Sequence, residues 1–124
     1  MPPLFIFMKK KDTGKLGESI AKRYLIKKGY KILTTNFRTR FGEIDIICEK
    51  DGILVFVEVR TKNKNSFIMP EESIDKRKLL HIKKATLIYL NSIKRPFKGI
   101  RFDFIGVVID KEGRKIKHIE NITL

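Results

Sequence analysis

The stretch GEIDIICEKDGILVFVEVRTK, from Gly42 to Lys62, contains two strongly apolar runs on either side of Asp51-Gly52. This dipeptide is the strongest two-residue hairpin signal in the chain, because it tolerates the positive φ angles of a tight primed turn. The turn predicts that opposing residues alternate between two sides of the hairpin. One side is then wholly apolar, as far as Ile44 opposite Val59, and a slip of one residue would mix the two sides.

The same register gathers charged residues at the open end of the hairpin. It places Asp45 opposite Glu58 and Glu43 opposite Arg60. Like charges directly across two strands repel each other, and a shared proton, a nearby lysine or a divalent cation would offset the repulsion. Two hard oxygen donors suit Mg²⁺ or Mn²⁺, and Arg60 on that side can donate to a phosphate oxygen. The alternative is a solvated hairpin end with an ordinary Glu43–Arg60 ion pair.

The chain is strongly basic, with 28 Lys+Arg against 14 Asp+Glu and a net charge of +14. Such an excess favours a polyanionic partner, and nucleic acid is the commonest one. A lysine-rich background, as found in heat-adapted proteomes, is one alternative, and an anionic membrane surface is another.

The single cysteine and the first residues indicate the cellular compartment and the domain organisation expected of the protein. Cys48 alone rules out an internal disulfide and gives no zinc spacing, which fits a reducing cytoplasm. The opening MPPLFIFMKK lacks the leading charges of a signal peptide and is too short to span a membrane. We expect residues 1–12 to be a flexible or extended lead and residues 13–124 to form a single domain.

Helical and extended patterns alternate along the chain. The predicted elements are helices over Thr13–Lys28 and Asp75 to about Ile93, strands over Tyr30–Arg38, the two hairpin runs and Phe102–Ile109, and an edge strand in RKIKHIE. Thr13 is expected to cap the first helix and Gly29 to end it. The second helix allows the third and fourth strands to run parallel through a right-handed crossover. The sequence therefore predicts an α/β fold with a mixed five-stranded sheet, in the order α-β-β-β-α-β-β.

Six blocks of this sequence, in order from about Gly14 to Val108, resemble the YraN-like family of small bacterial proteins. The blocks are GKLGESIAKRYLIKKGYKIL, NFR, GEIDII, LVFVEVRTK, PEESIDKRK and RFDFIGV. That family is similar to the PD-(D/E)XK, restriction-endonuclease-like superfamily and to archaeal Holliday-junction resolvases. The resemblance implies a restriction-endonuclease-like three-layer fold, with the sheet flanked by helices and the site at the open end of the hairpin. It also implies Mg²⁺- or Mn²⁺-dependent phosphodiester hydrolysis.

The resemblance also implies roles for four side chains. Asp45 matches the first metal-binding acid of the superfamily and Glu58 the second. Glu18 matches an acid that approaches the metal in related resolvases; from the helix pattern alone, it is a surface glutamate paired with a neighbouring lysine. Arg60 stands where the superfamily has a catalytic lysine.

The arginine leaves the general base unassigned. Arg60 stays protonated and can only stabilise charge, whereas a lysine can orient or help to deprotonate the attacking water. Lys62 on the same strand face and Lys78 from the second helix are the substitutes in the sequence. A metal-bound hydroxide is the third option.

Other polar residues are assigned more briefly. The residues expected to contact the DNA backbone are Arg38, Arg40, Lys62, Lys64, Lys76 and Lys78. A solvated turn is the equal alternative for Arg38 and Arg40. His81 and His118 are read as surface or packing residues, and Asp103 is expected to pair with a nearby cation.

The leading hypothesis is a metal-dependent DNA endonuclease that hydrolyses phosphodiester bonds, with branched or structured DNA as one option. Asp45, Glu58 and Arg60 are its catalytic residues, and Glu18, Asp45 and Glu58 its metal ligands. The alternative is a catalytically weak or inactive nucleic-acid-binding module of the same fold, and a basic scaffold that binds a protein is a third. A homodimer is compatible with each, and no membrane is expected.

Overall fold

The computed structural model describes residues 10–62 and 75–122, with the side chains of residues 10–12 left out. Its elements are α1 (Lys10–Lys27), β1 (Lys31–Thr39), β2 (Gly42–Lys50), β3 (Ile53–Lys62), α2 (Lys76–Ser92), β4 (Gly99–Asp110) and β5 (Gly113–Ile119). This confirms the predicted fold class and element order. Lys64 and most of the predicted lead, residues 1–9, lie outside the described residues. No helix within the described ranges is long and apolar enough to cross a membrane.

The five strands form one mixed sheet in the order β1-β2-β3-β4-β5. Strands β3 and β4 are parallel and every other neighbouring pair is antiparallel. The parallel pair is the one that α2 connects, as the crossover argument predicts. The carboxyl end of β3 therefore lies at the same end of the sheet as the amino end of β2.

The central hairpin forms around the predicted turn. Asp51 and Gly52 have φ angles of +53° and +83°, as a primed turn requires. The pairing runs from Lys50 opposite Ile53 to Ile46 opposite Val57, which confirms the predicted register over this part of the hairpin.

The sheet divides the core into two main clusters, one under each helix. The α1-side cluster contains Ile20, Ala21, Leu25, Tyr30, Ile46, Cys48, Val55, Val57, Val59, Ile105, Val107 and Ile109. The α2-side cluster contains Ile44, Ile47, Leu54, Phe56, Ala85 and Tyr89. Ile44 and Val59 thus lie in different clusters, so the prediction that they share one apolar side is wrong. Cys48 is fully buried as a free thiol, and burial raises its pKa to about 12.

The two helices begin and end for different local reasons. α1 begins at Lys10, so the prediction that Thr13 caps it is wrong. It ends at Lys27, and Gly29 stops it as predicted, because its φ of +93° allows the amide of Tyr30 to donate to the carbonyl of Leu25 at 2.9 Å. α2 begins after Asp75, whose carboxylate accepts a hydrogen bond from the amide of Lys78 at 2.8 Å.

Candidate metal centre

Three carboxylates from α1 and β2 converge beside the open end of the hairpin. Glu18, Glu43 and Asp45 each offer an oxygen, and these atoms lie within 4.8 Å of one another. The predicted ligand set contained Glu18 and Asp45, which the structure brings together. It missed Glu43, which the sequence pattern assigned to an ion pair across the hairpin.

A close approach between α1 and β3 positions Glu18. The preceding residue, Gly17, faces Thr61 of β3 so closely that a Cβ atom at residue 17 would lie 1.8 Å from the Thr61 hydroxyl oxygen and 2.9 Å from its Cβ. Any larger residue would force the helix away from the strand. The glycine therefore allows α1 to hold Glu18 against the sheet, close to the carboxylates of β2.

Asn36 joins two of the three carboxylates. Its side-chain amide donates to Glu18 at 3.0 Å and to Glu43 at 2.7 Å. The residue has a φ of +52°, a left-handed conformation that asparagine tolerates better than most residues. Sequence reasoning missed this role, although Asn36 belongs to the NFR block.

The Glu43–Arg60 ion pair, which belonged to the alternative of a solvated hairpin end, does not form among the described residues. Glu43 instead accepts from the Arg38 guanidinium at 3.0 Å, and Arg60 contacts Glu58 at 3.4 Å. The reason is local: the regular pairing of β2 with β3 ends at Ile46, and beyond it the Val59 amide donates a hydrogen bond to the carboxylate of Asp45 at 2.8 Å. A side chain thus occupies the place of a backbone acceptor, and the ideal hairpin alternation does not continue.

Asp45 is surrounded by more negative than positive charge. Burial raises its pKa, and the charges of Glu58, Glu18 and Glu43 raise it further, while the Val59 amide opposes them. The net effect raises the pKa of Asp45 to about 7. A cation placed beside this group would favour its ionised form.

Glu58 is 7% exposed and lies between two cations. Its carboxylate is 3.4 Å from the Arg60 guanidinium and 3.5 Å from the Lys78 ammonium. Burial raises the pKa of Glu58, and Lys78 and Arg60 only partly oppose this. Glu58 is not part of the three-carboxylate group, although its charge acts on Asp45. The structure therefore places it next to that group, with Lys78 reaching it from α2.

The carboxylate group fits a hard divalent cation. Mg²⁺ binds oxygen at about 2.0–2.1 Å in an octahedron, which puts neighbouring ligand oxygens about 2.9 Å apart and opposite ones about 4.1 Å apart. The ligand oxygens of Glu18, Glu43 and Asp45 lie at most 4.8 Å apart, which exceeds the distance of about 4.1 Å between opposite Mg²⁺ ligands by less than an ångström. Small side-chain rotations would bring the three oxygens onto one ion.

The predicted DNA-binding residues that the structure describes are mostly exposed and come from several elements. The Arg38 side chain is 80% exposed, and Arg40, Lys62 and Lys76 are also exposed. Lys78 is half-buried because it pairs with Glu58. These residues come from β1, the β1–β2 turn, the end of β3 and the start of α2.

A second buried carboxylate, Asp103 of β4, has a complete set of partners. It accepts two hydrogen bonds of 2.8 Å from Arg101, one of 3.0 Å from the amide of Asn121, and lies 2.7 Å from a ring nitrogen of His118. The prediction that Asp103 pairs with a cation is confirmed. His118 is also 3.0 Å from the Tyr24 hydroxyl, so it connects β4 and β5 to α1.

The sequence matches one protein-family model and many related bacterial proteins. The model of the uncharacterised protein family UPF0102 matches residues 17–107. A UPF0102 protein of Syntrophomonas wolfei is 47% identical over 111 residues, which cover 90% of this chain and 96% of that protein. A UPF0102 protein of Persephonella marina is 49% identical over 110 residues, covering 87% and 90% respectively. One of Dictyoglomus thermophilum is 39% identical over 107 residues, covering 86% and 91%. The match to the family model spans the hairpin, all of α2 and the acids Glu18, Glu43, Asp45 and Glu58, and the chain belongs to the UPF0102 family, the YraN-like family that its sequence blocks resemble.

Proposed function

We propose that this protein is a metal-dependent DNA endonuclease that hydrolyses phosphodiester bonds. The observation that carries the proposal is the convergence of Glu18, Glu43 and Asp45 within 4.8 Å, next to the buried Glu58. A surplus of 14 positive charges on the same chain favours a polyanionic substrate over a neutral one. Branched or structured DNA remains the substrate implied by the family resemblance.

The carboxylates would hold Mg²⁺ or Mn²⁺. Such an ion polarises a phosphoryl oxygen and lowers the pKa of water, which are the two needs of phosphodiester hydrolysis. Glu18, Glu43 and Asp45 supply the oxygens, and Asn36 keeps the first two in place. Glu58 contributes negative charge close to Asp45.

Arg60 and Lys78 would contact the scissile phosphate. Their side chains are 43% and 38% exposed and their nitrogens lie 3.4 and 3.5 Å from Glu58, so both can turn from that carboxylate toward a bound phosphate. Arg60 stabilises the charge that develops on the phosphoryl oxygens. Lys78 is the amine best placed to orient the attacking water, the role that Arg60 cannot take.

The exposed cations around the site would hold the DNA backbone. Each phosphate contact releases counterions, so affinity should fall with salt at a slope of about 0.9 per contact on a log–log scale. Removing the charge of Lys76 should reduce that slope by about one unit. Lys94, exposed just past the opposite end of α2, is a matched control that should leave the slope unchanged.

The decisive experiment compares DNA substrates with and without metal. Linear duplex, single-stranded and four-way-junction DNA are incubated with Mg²⁺ or Mn²⁺ and with EDTA. We expect metal-dependent nicking by the wild-type protein and none by Asp45→Asn, which should still bind DNA in Ca²⁺. Nicking that persists in Asp45→Asn at the wild-type rate, or that resists EDTA, would contradict the proposal.

A non-catalytic DNA-binding module is the second candidate. One observation favours it: Glu58 already has two cation partners in the described structure, so this carboxylate is balanced without a metal. The module would bind DNA with the same salt dependence and would cleave none of the three substrates under any metal condition. The buried free thiol of Cys48 fits a reducing cytoplasm in both cases.

A further inference from the structure

The β1–β2 turn presents an aromatic ring between two cations. The Arg40 guanidinium carbon lies 4.8 Å from the centroid of the Phe41 ring, and the Lys84 ammonium of α2 lies 5.0 Å from it. Phe41 is half-buried, while Arg40 and Lys84 are exposed. The ring is thus partly accessible to solvent, and two exposed side chains lie against it.

Contacts with α2 hold this turn in place. A Cβ atom added to Gly42, whose φ is +143°, would lie 3.7 Å from the Cβ of His81, so the turn packs against the helix. Within β1, three residues before the turn begins at Arg40, Phe37 meets Tyr89 of α2 edge to face at 5.3 Å. The position of Phe41 is therefore fixed relative to the sheet.

Phe41 lies close to the candidate metal centre along the chain. It precedes Glu43 by two residues and Asp45 by four, and four residues of extended chain span at most about 13 Å. One DNA strand could therefore contact the ring and the carboxylates together. Arg38, exposed on the adjacent strand end, borders the same path.

We propose that Phe41 stacks against an unpaired base, so that the substrate of the carboxylate site contains single-stranded DNA. This inference rests on the proposed function for its substrate, while the stacking contact can be tested without cleavage. A ring beside mobile cations is the usual arrangement of single-strand binding surfaces, in which bases stack on aromatic faces and cations follow the phosphates. In a duplex the faces of the bases are covered by their neighbours, so the ring would discriminate between the two forms.

The exchange of partners on the ring is favourable. A cation–π contact at an exposed site is weaker than the stacking of a base on an aromatic ring. Arg40 and Lys84 would move from the ring to the phosphates, where charge-assisted hydrogen bonds are stronger. If Phe41 only packs the turn onto α2, neither of the two experiments below should show a response to single-stranded DNA at this residue.

The first experiment uses a tryptophan as a reporter of stacking. The chain contains no tryptophan, so the emission of Phe41→Trp reports a single site. Single-stranded oligonucleotide, titrated in EDTA so that no cleavage occurs, should quench this emission, and duplex of the same length should not. The control is Phe97→Trp: Phe97 is 41% exposed and precedes Lys98, whose amide donates to Gly52 at the other end of the sheet. Its emission should not respond.

The second experiment measures affinity. Phe41→Leu keeps an apolar side chain for packing but removes the flat ring, and we expect single-stranded DNA to bind about tenfold more weakly with duplex affinity unchanged. Phe97→Leu should change neither affinity. A Phe41→Leu protein that binds single strands as tightly as the wild type, or emission from Phe41→Trp that ignores single strands, would overturn the inference and leave Phe41 as a packing residue.

The two proposals fail in different ways. Metal-dependent cleavage of DNA without any effect of Phe41→Leu would sustain the proposed function and overturn the stacking contact. Quenching of Phe41→Trp by single-stranded DNA without cleavage of any substrate would support the stacking contact and contradict the endonuclease.

Discussion

Asp45 and Asp103 are both largely buried, but the groups around them differ in charge: Asp45 faces other carboxylates, whereas Asp103 faces a cation and hydrogen-bond donors. Around Asp103, burial raises the pKa, yet the hydrogen bonds from His118, Arg101 and the Asn121 amide outweigh it and leave the pKa below its usual value. Around Asp45, burial and neighbouring carboxylates act in the same direction and raise the pKa to about 7. Enclosure alone therefore says little about the role of an acid.

The partners separate a structural carboxylate from one that requires a cation. Asp103 is 1% exposed and joins Arg101 and His118 into one network, which fits a role in holding β4 and β5 to α1. Asp45 accepts a hydrogen bond from the Val59 amide, and carboxylate oxygens of two other acids lie within 4.8 Å of one of its own. Stability should therefore depend on Asp103, and metal-dependent chemistry on Asp45.

The largest expected effect is on cleavage by Asp45→Asn. We expect cleavage to fall by at least about 100-fold, because a ligand at the centre of the carboxylate group is lost. The apo protein should be no less stable, since the substitution removes repulsion with Glu18, Glu43 and Glu58. Single-turnover cleavage and urea unfolding in EDTA measure the two quantities. A large loss of stability would place Asp45 in the same class as Asp103.

The reverse pattern is expected for Asp103→Asn. Removing the charge leaves Arg101 with only the more distant and more exposed Glu120 as an anion, and breaking the buried pair should lower the free energy of unfolding by about 3 kcal/mol and the Tm by about 10 °C. Cleavage per folded molecule should stay unchanged at a temperature well below the transition. Calorimetry on Asp103→Asn and on Asp110→Asn, an acid at the last residue of β4, provides the comparison. Equal Tm values for the two variants would contradict the structural role.

A smaller effect separates two glycines of α1. Gly17→Ala should lower the free energy of unfolding by about 2 kcal/mol, because the new methyl group overlaps Thr61, and it should also weaken Mn²⁺ binding by displacing Glu18. Gly14→Ala meets nothing within 4 Å and should stabilise the helix by about 0.5–1 kcal/mol. Urea unfolding and metal titration of both variants test the difference, and equal behaviour would show that α1 does not depend on the close approach.

A further difference between the two aspartates is the pH dependence of stability. Asp45 has an ordinary pKa of 3.8 and a folded-state pKa of about 7, so between these values the folded protein binds more protons than the unfolded chain. The contribution of Asp45 to stability should therefore fall as pH rises from about 4 to about 7, by at most about 1.4 kcal/mol per pH unit. Asp45→Asn lacks this contribution.

Unfolding in EDTA from pH 5 to pH 8 should thus show the variant gaining stability relative to the wild type as pH rises. The opposite sign holds for Asp103: its lowered pKa contributes stability above pH 3.8 that is lost as pH falls through the folded-state pKa. A difference between wild type and Asp45→Asn that stays constant with pH would contradict the raised pKa of Asp45.

The sequence predicted most of the fold because the deciding signals are local. Asp51-Gly52 determines the turn and its register, and Asp75 caps α2 where the polar loop ends. Thr13 failed as a cap, since α1 continues to Lys10 and helix starts carry weaker local signals when other polar residues precede them.

The candidate site was predicted only in part because its contacts are not local. Asp45, Glu58 and Glu18 were available from the pattern and the resemblance. The pairing of Glu43 with Arg38 and Asn36 depends on the left-handed backbone of Asn36 and on the side chain of Asp45 replacing a strand acceptor. No period-two pattern contains that information.

Because its single cysteine is buried, the rate at which a thiol reagent labels this protein measures how often the sheet opens locally. Cys48 is fully buried in β2, and a pKa of about 12 leaves almost no thiolate at neutral pH while the sheet is intact. A thiol reagent should therefore react only when the hairpin separates from its neighbours, and no second cysteine in the sequence can obscure the signal. The labelling rate would rank opening free energies across variants without any added probe.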